Sequence, residues 1–405
     1  MLFRSGRCAI CLRHRPSRIR QQSHLRGAVA ERHKRPSTLM LTVLVLGGYG
    51  FFGQRISAAL ASTASLRVLI AGRDLERARA VAGTIGVPVE HALAIDAHAA
   101  DLVENLRRLH VDVLIHTAGP FQGQDYSVAR AAIEARCHYI DLADGRQFVA
   151  GITSLNAQAL AAGVAVISGA SSVPALSSAV VDRYLPRFGR LDAIRMGISS
   201  GARSPGLATV KGVFSYGGKP IRSWRDGAWV DAHGWLDLRR YRFPQPLGKR
   251  WLGSCDIPDL ELFPQRYSSV RTVSFQAGFA SDVGHLVVWG LAALVRTGVL
   301  RDMRTFARPL NRLSRWMEPV VSDKGGMFVS LEGEGIDGEP LRINWNLIAE
   351  NNHGPHIPCG AAIALARKLG SGAVLRNGAM PCMGLLTVEE FLGPLRDLSI
   401  SEKVA

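Results

Sequence analysis

The chain has 405 residues, of which 47% are hydrophobic and 20% are charged. This length and composition predict two or three domains with substantial cores. The most apolar stretch, residues 283–295, is shorter than the roughly 18 residues that a membrane span needs, so an integral membrane protein is excluded. We predict a buried helix there, in preference to a helix lying on a membrane surface.

Residues 1–40 contain nine Arg, one Lys and one Glu, so this segment contributes +9 of the net charge of +16. The other 365 residues therefore carry only +7, which does not predict a nucleic-acid partner. The basic segment is similar to an organellar transit peptide. The basic segment is explained equally well if translation truly starts at Met40, because the first predicted strand follows Met40 directly. We expect residues 1–40 to be a disordered tail or a mis-assigned start of a cytoplasmic protein, and organellar targeting is the less favoured alternative.

Metal binding is not expected. The six cysteines are too few and too scattered for a disulfide framework. Cys8 and Cys11 form a CxxC, but no second pair follows at zinc-site spacing. His353 and His356 form an HxxH without a nearby third ligand.

From Leu41 onward, short apolar runs alternate with helical segments. This alternation predicts βαβ units, hence a Rossmann-type doubly wound parallel sheet, followed by a second α+β domain. The predicted strands are residues 41–46, 67–71, 91–95, 111–116, 138–142 and 164–168. The predicted domains are 41–170 (dinucleotide binding), 171–350 (substrate binding or dimerisation) and 351–405, a C-terminal helical segment that packs back on the first domain.

A GxGxxG motif, Gly48 to Gly53, stands between the first predicted strand and an amphipathic helix. This is the context that dinucleotide binding requires. Gly48 is expected to allow the tight turn, Gly50 to leave room for the pyrophosphate, and Gly53 to let the helix approach the strand. Backbone N–H groups around Phe51 and Phe52 are expected to bind phosphate oxygens at the helix start.

The end of the second strand predicts the nucleotide preference. An NAD site would place Asp or Glu here to bind the ribose hydroxyls, but this chain has Arg73. A guanidinium can pair with a 2′-phosphate and stack on adenine. We therefore predict NADP as the cofactor in preference to NAD, and a helix-capping role for Asp74.

Two more loops follow strands at the edge where this fold binds ligands. Residues 118–120 (Ala118, Gly119 and Pro120) are expected to run beside the ribose and nicotinamide. Asp96, after the third strand, is expected either to bind the adenine amine or to cap a helix. Asp141 and Asp144 follow the fifth strand. Acid–base catalysis and turn formation are both open as roles for these two carboxylates.

At these residues the sequence resembles the saccharopine dehydrogenase-like oxidoreductases. The resemblance is carried by the glycine motif, by Ala71-Gly72-Arg73, by residues 116–124 (HTAGPFQGQ) and by residues 139–145 (YIDLADG). It covers residues 42–180 well and thins beyond Pro174. It implies an NAD(P)-dependent oxidoreductase, often a dimer, that acts on a carbonyl, imine or activated double bond of a small molecule. It does not imply saccharopine as the substrate.

Hydride transfer needs one group that supplies or removes a proton. We take His116 and Asp144 as the candidates, His116 because it directly precedes the 118–120 loop. Other titratable residues, for which a structural role is equally open, are Tyr139, Lys211, His285 and His353. Because none of these is decisive, a non-catalytic NADP-binding sensor or scaffold stays open as the alternative function.

Overall fold

A computed structural model of the protein describes residues 40–202 and 206–405. The predicted basic tail therefore lies outside the described residues, apart from Met40. The strands are, in chain order, β1 (Leu41–Leu46), β2 (Leu66–Gly72), β3 (Ala92–Ala94), β4 (Val113–His116), β5 (His138–Asp141), β6 (Ala165–Ser168), β7 (Phe188–Ser199), β8 (Pro220–Arg225), β9 (Ala228–His233), β10 (Arg239–Arg242), β11 (Lys249–Ser254), β12 (Thr272–Gly278), β13 (Gly325–Gly335), β14 (Pro340–Ala349), β15 (Gly378–Pro381) and β16 (Ile400–Val404).

The α-helices lie between these strands. They are α1 (Gly53–Ala61), α2 (Leu75–Ile85), α3 (Leu102–Arg108), α4 (Ser127–Ala135), α5 (Arg146–Gly151), α6 (Asn156–Ala162), α7 (Ser177–Tyr184), α8 (Leu207–Phe214), α9 (Asp259–Arg266), α10 (Asp282–Arg296), α11 (Ala307–Met317), α12 (Gly360–Gly370) and α13 (Val388–Leu392). No helix in the part of the chain that the structure describes is long and apolar enough to cross a membrane.

The first sheet has seven parallel strands in the order β15-β6-β5-β4-β1-β2-β3. The predicted Rossmann-type fold class is confirmed. The six predicted strands all form, but the sheet is completed by a seventh, β15, from the last 30 residues of the chain. The sequence predicts a helical C-terminal segment instead, because β15 begins with glycine, ends with proline and contains no continuous apolar run.

Both faces of the first sheet are buried. Val43 and Val45 of β1 pack with α1 residues Ile56 and Leu60 on one face. Leu44 and Leu46 belong to the core on the opposite face. Because side chains alternate along a strand, a strand buried on both sides needs a continuous apolar run. This is why the first-sheet strands were readable from the sequence.

The second sheet is mixed and has nine strands. Its main path is β10-β11-β12-β7-β13-β14-β16, and β8 pairs with both β12 and β9. The central pair β7–β12 is parallel, β13 pairs antiparallel with β7, and β14 pairs antiparallel with β13. The predicted second domain of mixed α and β structure is therefore confirmed, with a topology that the sequence did not reveal.

The C-terminal residues join both sheets. Helix α12 is buried along most of its length and its Arg367 side chain donates to the Ala59 carbonyl of α1 at 2.8 Å. β15 pairs with β6 in the first sheet, and β16 pairs with β14 in the second. Gly370 is the last residue of α12, and the glycine that follows with a positive φ is Gly372.

Helix α10 departs from its prediction as a buried helix. Only His285, Val288 and Ala292 are buried, on one face. The opposite face stays exposed although it is apolar. The sequence lacks a polar stripe there, so periodicity pointed to full burial.

Candidate functional site

The turn between β1 and α1 is held by close backbone contacts. The N–H groups of Gly47 and Gly48 both donate to the Ala71 carbonyl of β2, at 2.8 and 3.0 Å. Gly47 has a φ of +81°, so it is the residue that makes the turn. This corrects the prediction for Gly48. Gly48 has ordinary backbone angles and is needed instead because a Cβ there would lie 2.8 Å from the Val45 carbonyl oxygen.

The other two motif glycines differ in what surrounds them. A Cβ on Gly53 would lie 2.2 Å from the Gly47 oxygen and 2.8 Å from the Gly48 Cα. Gly53 therefore allows α1 to start directly beneath the turn. A Cβ on Gly50 would meet one described atom within 4 Å, the Gly47 oxygen at 2.9 Å, so its other side is open. Phe51 and Phe52 are half-buried at the start of α1, where first-turn N–H groups have no intrahelical acceptor.

The end of β2 is lined by an aromatic ring and two guanidinium groups. The Tyr49 ring lies so close to Gly72 that a Cβ there would be 2.3 Å from the ring. Its hydroxyl accepts from the Asp74 N–H at 3.1 Å, and the Arg77 guanidinium lies 4.7 Å from the ring centroid. Arg73 is exposed beside them. Asp74 accepts from the Arg77 N–H at 3.1 Å, so the predicted helix-capping role is confirmed.

The loop after β4 is tied to its surroundings. Thr117 donates to the Leu46 carbonyl of β1 through its N–H and its hydroxyl, at 2.8 and 2.9 Å. The Gln124 amide donates to the carbonyls of Ala118 and Pro120 at 3.0 and 2.8 Å. Residues 118–120 are therefore held beside the glycine turn. Asp96 is exposed and accepts from the His98 N–H at 3.1 Å within a turn, and it does not cap a helix because α3 begins only at Leu102.

His116 lies beneath this loop. It is 1% exposed, and its Nδ1 is 3.0 Å from the Tyr139 hydroxyl, itself fully buried. Burial, with a smaller contribution from His98, lowers the pKa of His116 to about 3. The imidazole is therefore neutral at pH 7 and out of reach of a substrate, and we favour a structural role for it.

The burial of His116 predicts that the free energy of unfolding decreases at acid pH. His116 is neutral in the folded state but can take up a proton when the chain unfolds. Above pH 6.5 neither state is protonated and the stability of the fold is complete; as the pH falls from 6.5 toward 3, proton uptake by the unfolded chain lowers the free energy of unfolding. Relative to His116→Asn, the wild type should lose about 2 kcal/mol of unfolding free energy between pH 7 and pH 5. Urea titrations at both pH values measure this. His110→Asn, at an exposed position, is the control, and the same pH dependence in His116→Asn and the wild type would contradict the buried neutral state.

Asp141 ends β5 and Asp144 follows it, and the two carboxylates differ in their surroundings. Asp141 is fully buried, and its Oδ1 accepts from the N–H groups of Ala143 and Gly169 and the Ser168 hydroxyl, at 2.8 to 3.0 Å. Burial raises the pKa of Asp141 to about 6. Asp144 is half-buried and accepts from the Gln122 amide at 3.0 Å. Burial also raises the pKa of Asp144. Asp141 is thus a structural anchor of the loop, whereas Asp144 retains an accessible carboxyl group.

Helix α8 of the second domain supplies a wall opposite Asp144. Gly212 of α8 lies against the Gln122 amide, since a Cβ there would be 2.6 Å from Oε1. Buried Arg146 follows Asp144 by two residues and pairs with Asp256 at 3.2 Å and Glu261 at 2.8 Å. These contacts fix the Asp144 loop against the second sheet.

Three further candidates for proton transfer remain: Lys211, His285 and His353. Lys211 is half-buried on α8, the helix that faces Gln122. His285 is buried against Trp235 and Phe279, where burial lowers its pKa to about 4. His353 accepts from the Ser399 N–H at 2.8 Å. The part of the chain that the structure describes contains no group of three or more His, Cys, Asp or Glu placed to hold a metal ion.

A model of the saccharopine dehydrogenase NADP binding domain matches residues 43–167. These residues are therefore similar to the NADP-binding domain of saccharopine dehydrogenases. The match spans β1 to β6 and includes the glycine turn, Arg73 and Asp144. It supports an NAD(P)-dependent oxidoreductase that binds a nicotinamide dinucleotide.

Solved structures show how far the fold is shared. Apo saccharopine dehydrogenase (L-Glu forming) from Saccharomyces cerevisiae is similar with a TM-score of 0.62 and 15% identity, over 90% of this chain and 100% of that chain. Amine dehydrogenase from Mycobacterium smegmatis matches with a TM-score of 0.45 and 12% identity, over 88% and 96%. No curated protein sequence matches. The similarity to the Saccharomyces cerevisiae structure shows a common fold that includes both sheets. It does not identify the substrate of this protein.

Sequence reasoning missed three residues in the matched domain, residues 43–167. Tyr49 and Arg77 line the end of β2 beside Arg73. Gln122 holds Asp144. A signal was present for Arg77, which lies four residues after Arg73 on the first turn of a predicted helix. Tyr49 and Gln122 reach their partners across the fold, which no local pattern encodes.

Proposed function

We propose that the protein is an NADP-dependent oxidoreductase that acts on a carbonyl, imine or activated double bond of a small molecule. One observation carries the proposal. The glycine turn follows β1, the 118–120 loop follows β4 and Asp144 follows β5, and these three strands are parallel neighbours in the sheet. Their carboxyl ends therefore meet at one edge, where doubly wound folds bind their ligands.

The residues at this edge fit a dinucleotide. The open side of Gly50 and the free N–H groups at the start of α1 suit a pyrophosphate. Arg73 and Arg77 supply two positive charges where the adenosine ribose would end, and the carboxylate next to Arg73, Asp74, caps helix α2. When bound, NADPH supplies a hydride to the substrate.

Asp144 is the proton donor or acceptor in this proposal. Its carboxyl group must be protonated to reduce a substrate and ionised to oxidise one. Burial raises the pKa of Asp144, which favours the protonated form that a proton donor needs. Gln122 orients one oxygen through its amide, which leaves the second oxygen to face the substrate.

The experiment that tests the proposal measures binding and turnover separately. Titration of the full chain with NADPH and NADH should show saturable binding with preference for NADPH. A panel of small aldehydes, ketones, imines and enones should then contain at least one compound that oxidises NADPH. Tight NADPH binding without turnover of any compound would favour the sensor or scaffold, and absence of nucleotide binding would overturn both.

Arg73 should set the nucleotide preference. A charge-assisted contact to the 2′-phosphate is worth roughly 1.5–3 kcal/mol. Because Arg77 lies nearby, Arg73→Ala should weaken NADPH binding by about 10- to 30-fold, toward the low end of that range. NADH affinity should change by a few-fold at most. Fluorescence titration of both nucleotides measures this, at low and high salt since an exposed contact is screened.

The matched control is Arg79→Ala, on the helix that follows Arg73 and paired with Glu76. It should leave both affinities unchanged. Equal losses for NADPH and NADH in Arg73→Ala, or a wild type that prefers NADH, would contradict the assignment.

A further inference from the structure

Helix α10 exposes an apolar face that a surface helix ordinarily keeps polar. Its buried residues, His285, Val288 and Ala292, lie on one side. On the opposite side, at helical spacing, lie Val283, Leu286, Val287 and Leu294, which are 70, 42, 45 and 42% exposed. No charged residue occurs between Asp282 and Arg296. Val299, 71% exposed, follows directly. This face has no cover within the described residues.

Helix α11 shows a second, different pattern. Ala307 and Asn311 face the protein. Trp316 and Leu313 point outward, 79 and 48% exposed. The helical spacing of Arg308, Arg312 and Arg315 places three guanidinium groups beside them, and none of the three forms an ion pair with a described residue. An outward face of Trp and Leu bordered by Arg is the pattern of a helix that lies in a lipid interface.

The two helices are close in the chain and in space. A short helical turn, Met303–Phe306, connects them and packs against both. Residues 283–317 carry six Arg and one Asp, a net +5. Exposed apolar side chains and unpaired positive charge therefore occur in one 35-residue segment.

We propose that helices α10 and α11 form a docking surface for an anionic lipid bilayer. The exposed Val, Leu and Trp side chains enter the boundary of the acyl chains, and the arginines pair with lipid phosphates. A second copy of this chain is a poorer occupant, because a two-fold contact through this segment would bring two net charges of +5 together. The docking is peripheral, since no described helix is long enough to span.

The test is flotation of the full chain with vesicles of phosphatidylcholine alone or with 30% phosphatidylglycerol. The wild type should bind the anionic vesicles, bind the neutral ones weakly, and be released as salt rises. Trp316→Ser should weaken binding by about tenfold because it removes the most exposed aromatic anchor. Arg312→Glu should weaken it by about 25-fold, about fivefold for each of the two charge units changed.

Matched controls separate this surface from the basic N-terminal residues, which every variant retains. Val374→Ser changes an equally exposed apolar residue, and Arg376→Glu reverses an exposed arginine outside α10 and α11. Both should bind as the wild type does, and all variants should keep NADPH affinity as proof of folding. Equal binding by Trp316→Ser and Val374→Ser would overturn the proposal. So would a dimer, seen by ultracentrifugation, that Leu286→Ser dissociates.

Discussion

Gly50→Val is expected to lower the affinity for NADPH and NADH by about 100-fold or more while the chain stays folded. The new Cβ would sit 2.9 Å from the Gly47 oxygen, and the two methyl groups would fill the open side of the turn. A pyrophosphate could then no longer approach the N–H groups of α1. Losing two charge-assisted hydrogen bonds, each worth roughly 1.5–3 kcal/mol, accounts for at least that factor.

Calorimetric titration of both nucleotides measures the loss, and circular dichroism with thermal melting checks the fold. Gly83→Val is the matched control, because no described atom lies within 4 Å of a Cβ placed there. It should bind nucleotide normally and melt at or slightly above the wild-type temperature, because glycine is a poorer helix former than valine. Wild-type affinity in Gly50→Val would mean that the dinucleotide binds elsewhere.

Asp144→Asn is expected to lower kcat by about 10²- to 10⁴-fold on whichever panel compound the wild type turns over. The asparagine oxygen can still accept from the Gln122 amide, so the loop and the nucleotide affinity should change little. What is lost is the transferable proton.

The pH profile distinguishes this role from a structural one. In the reductive direction the wild-type rate should fall as the pH rises through the raised pKa of Asp144, because the carboxyl must be protonated. In the oxidative direction the rate should fall as the pH drops through it. Asp144→Asn should lack this inflection. Asp125→Asn, at an exposed carboxylate of the same domain, should keep it. An unchanged kcat in Asp144→Asn would remove Asp144 from the mechanism.

The sequence by itself determined the first sheet and the glycine turn. Strands such as β1 are buried on both faces, so their continuous apolar runs are visible locally and their bounds were predicted to within one or two residues. The glycine motif and the Asp74 cap are local in the same sense, because each depends on backbone groups a few residues away.

The tertiary structure alone decided which of the predicted residues a ligand can reach. His116 ends β4 and Asp144 follows β5, yet His116 is buried beneath the 118–120 loop, whereas Asp144 is half-buried and accepts a hydrogen bond from Gln122. The exposed face of α10 and the position of β15 in the sheet could not be predicted from the sequence for the same reason. Burial depends on which distant segments pack together, and the periods of 3.6 and 2 residues show only which side chains share a face.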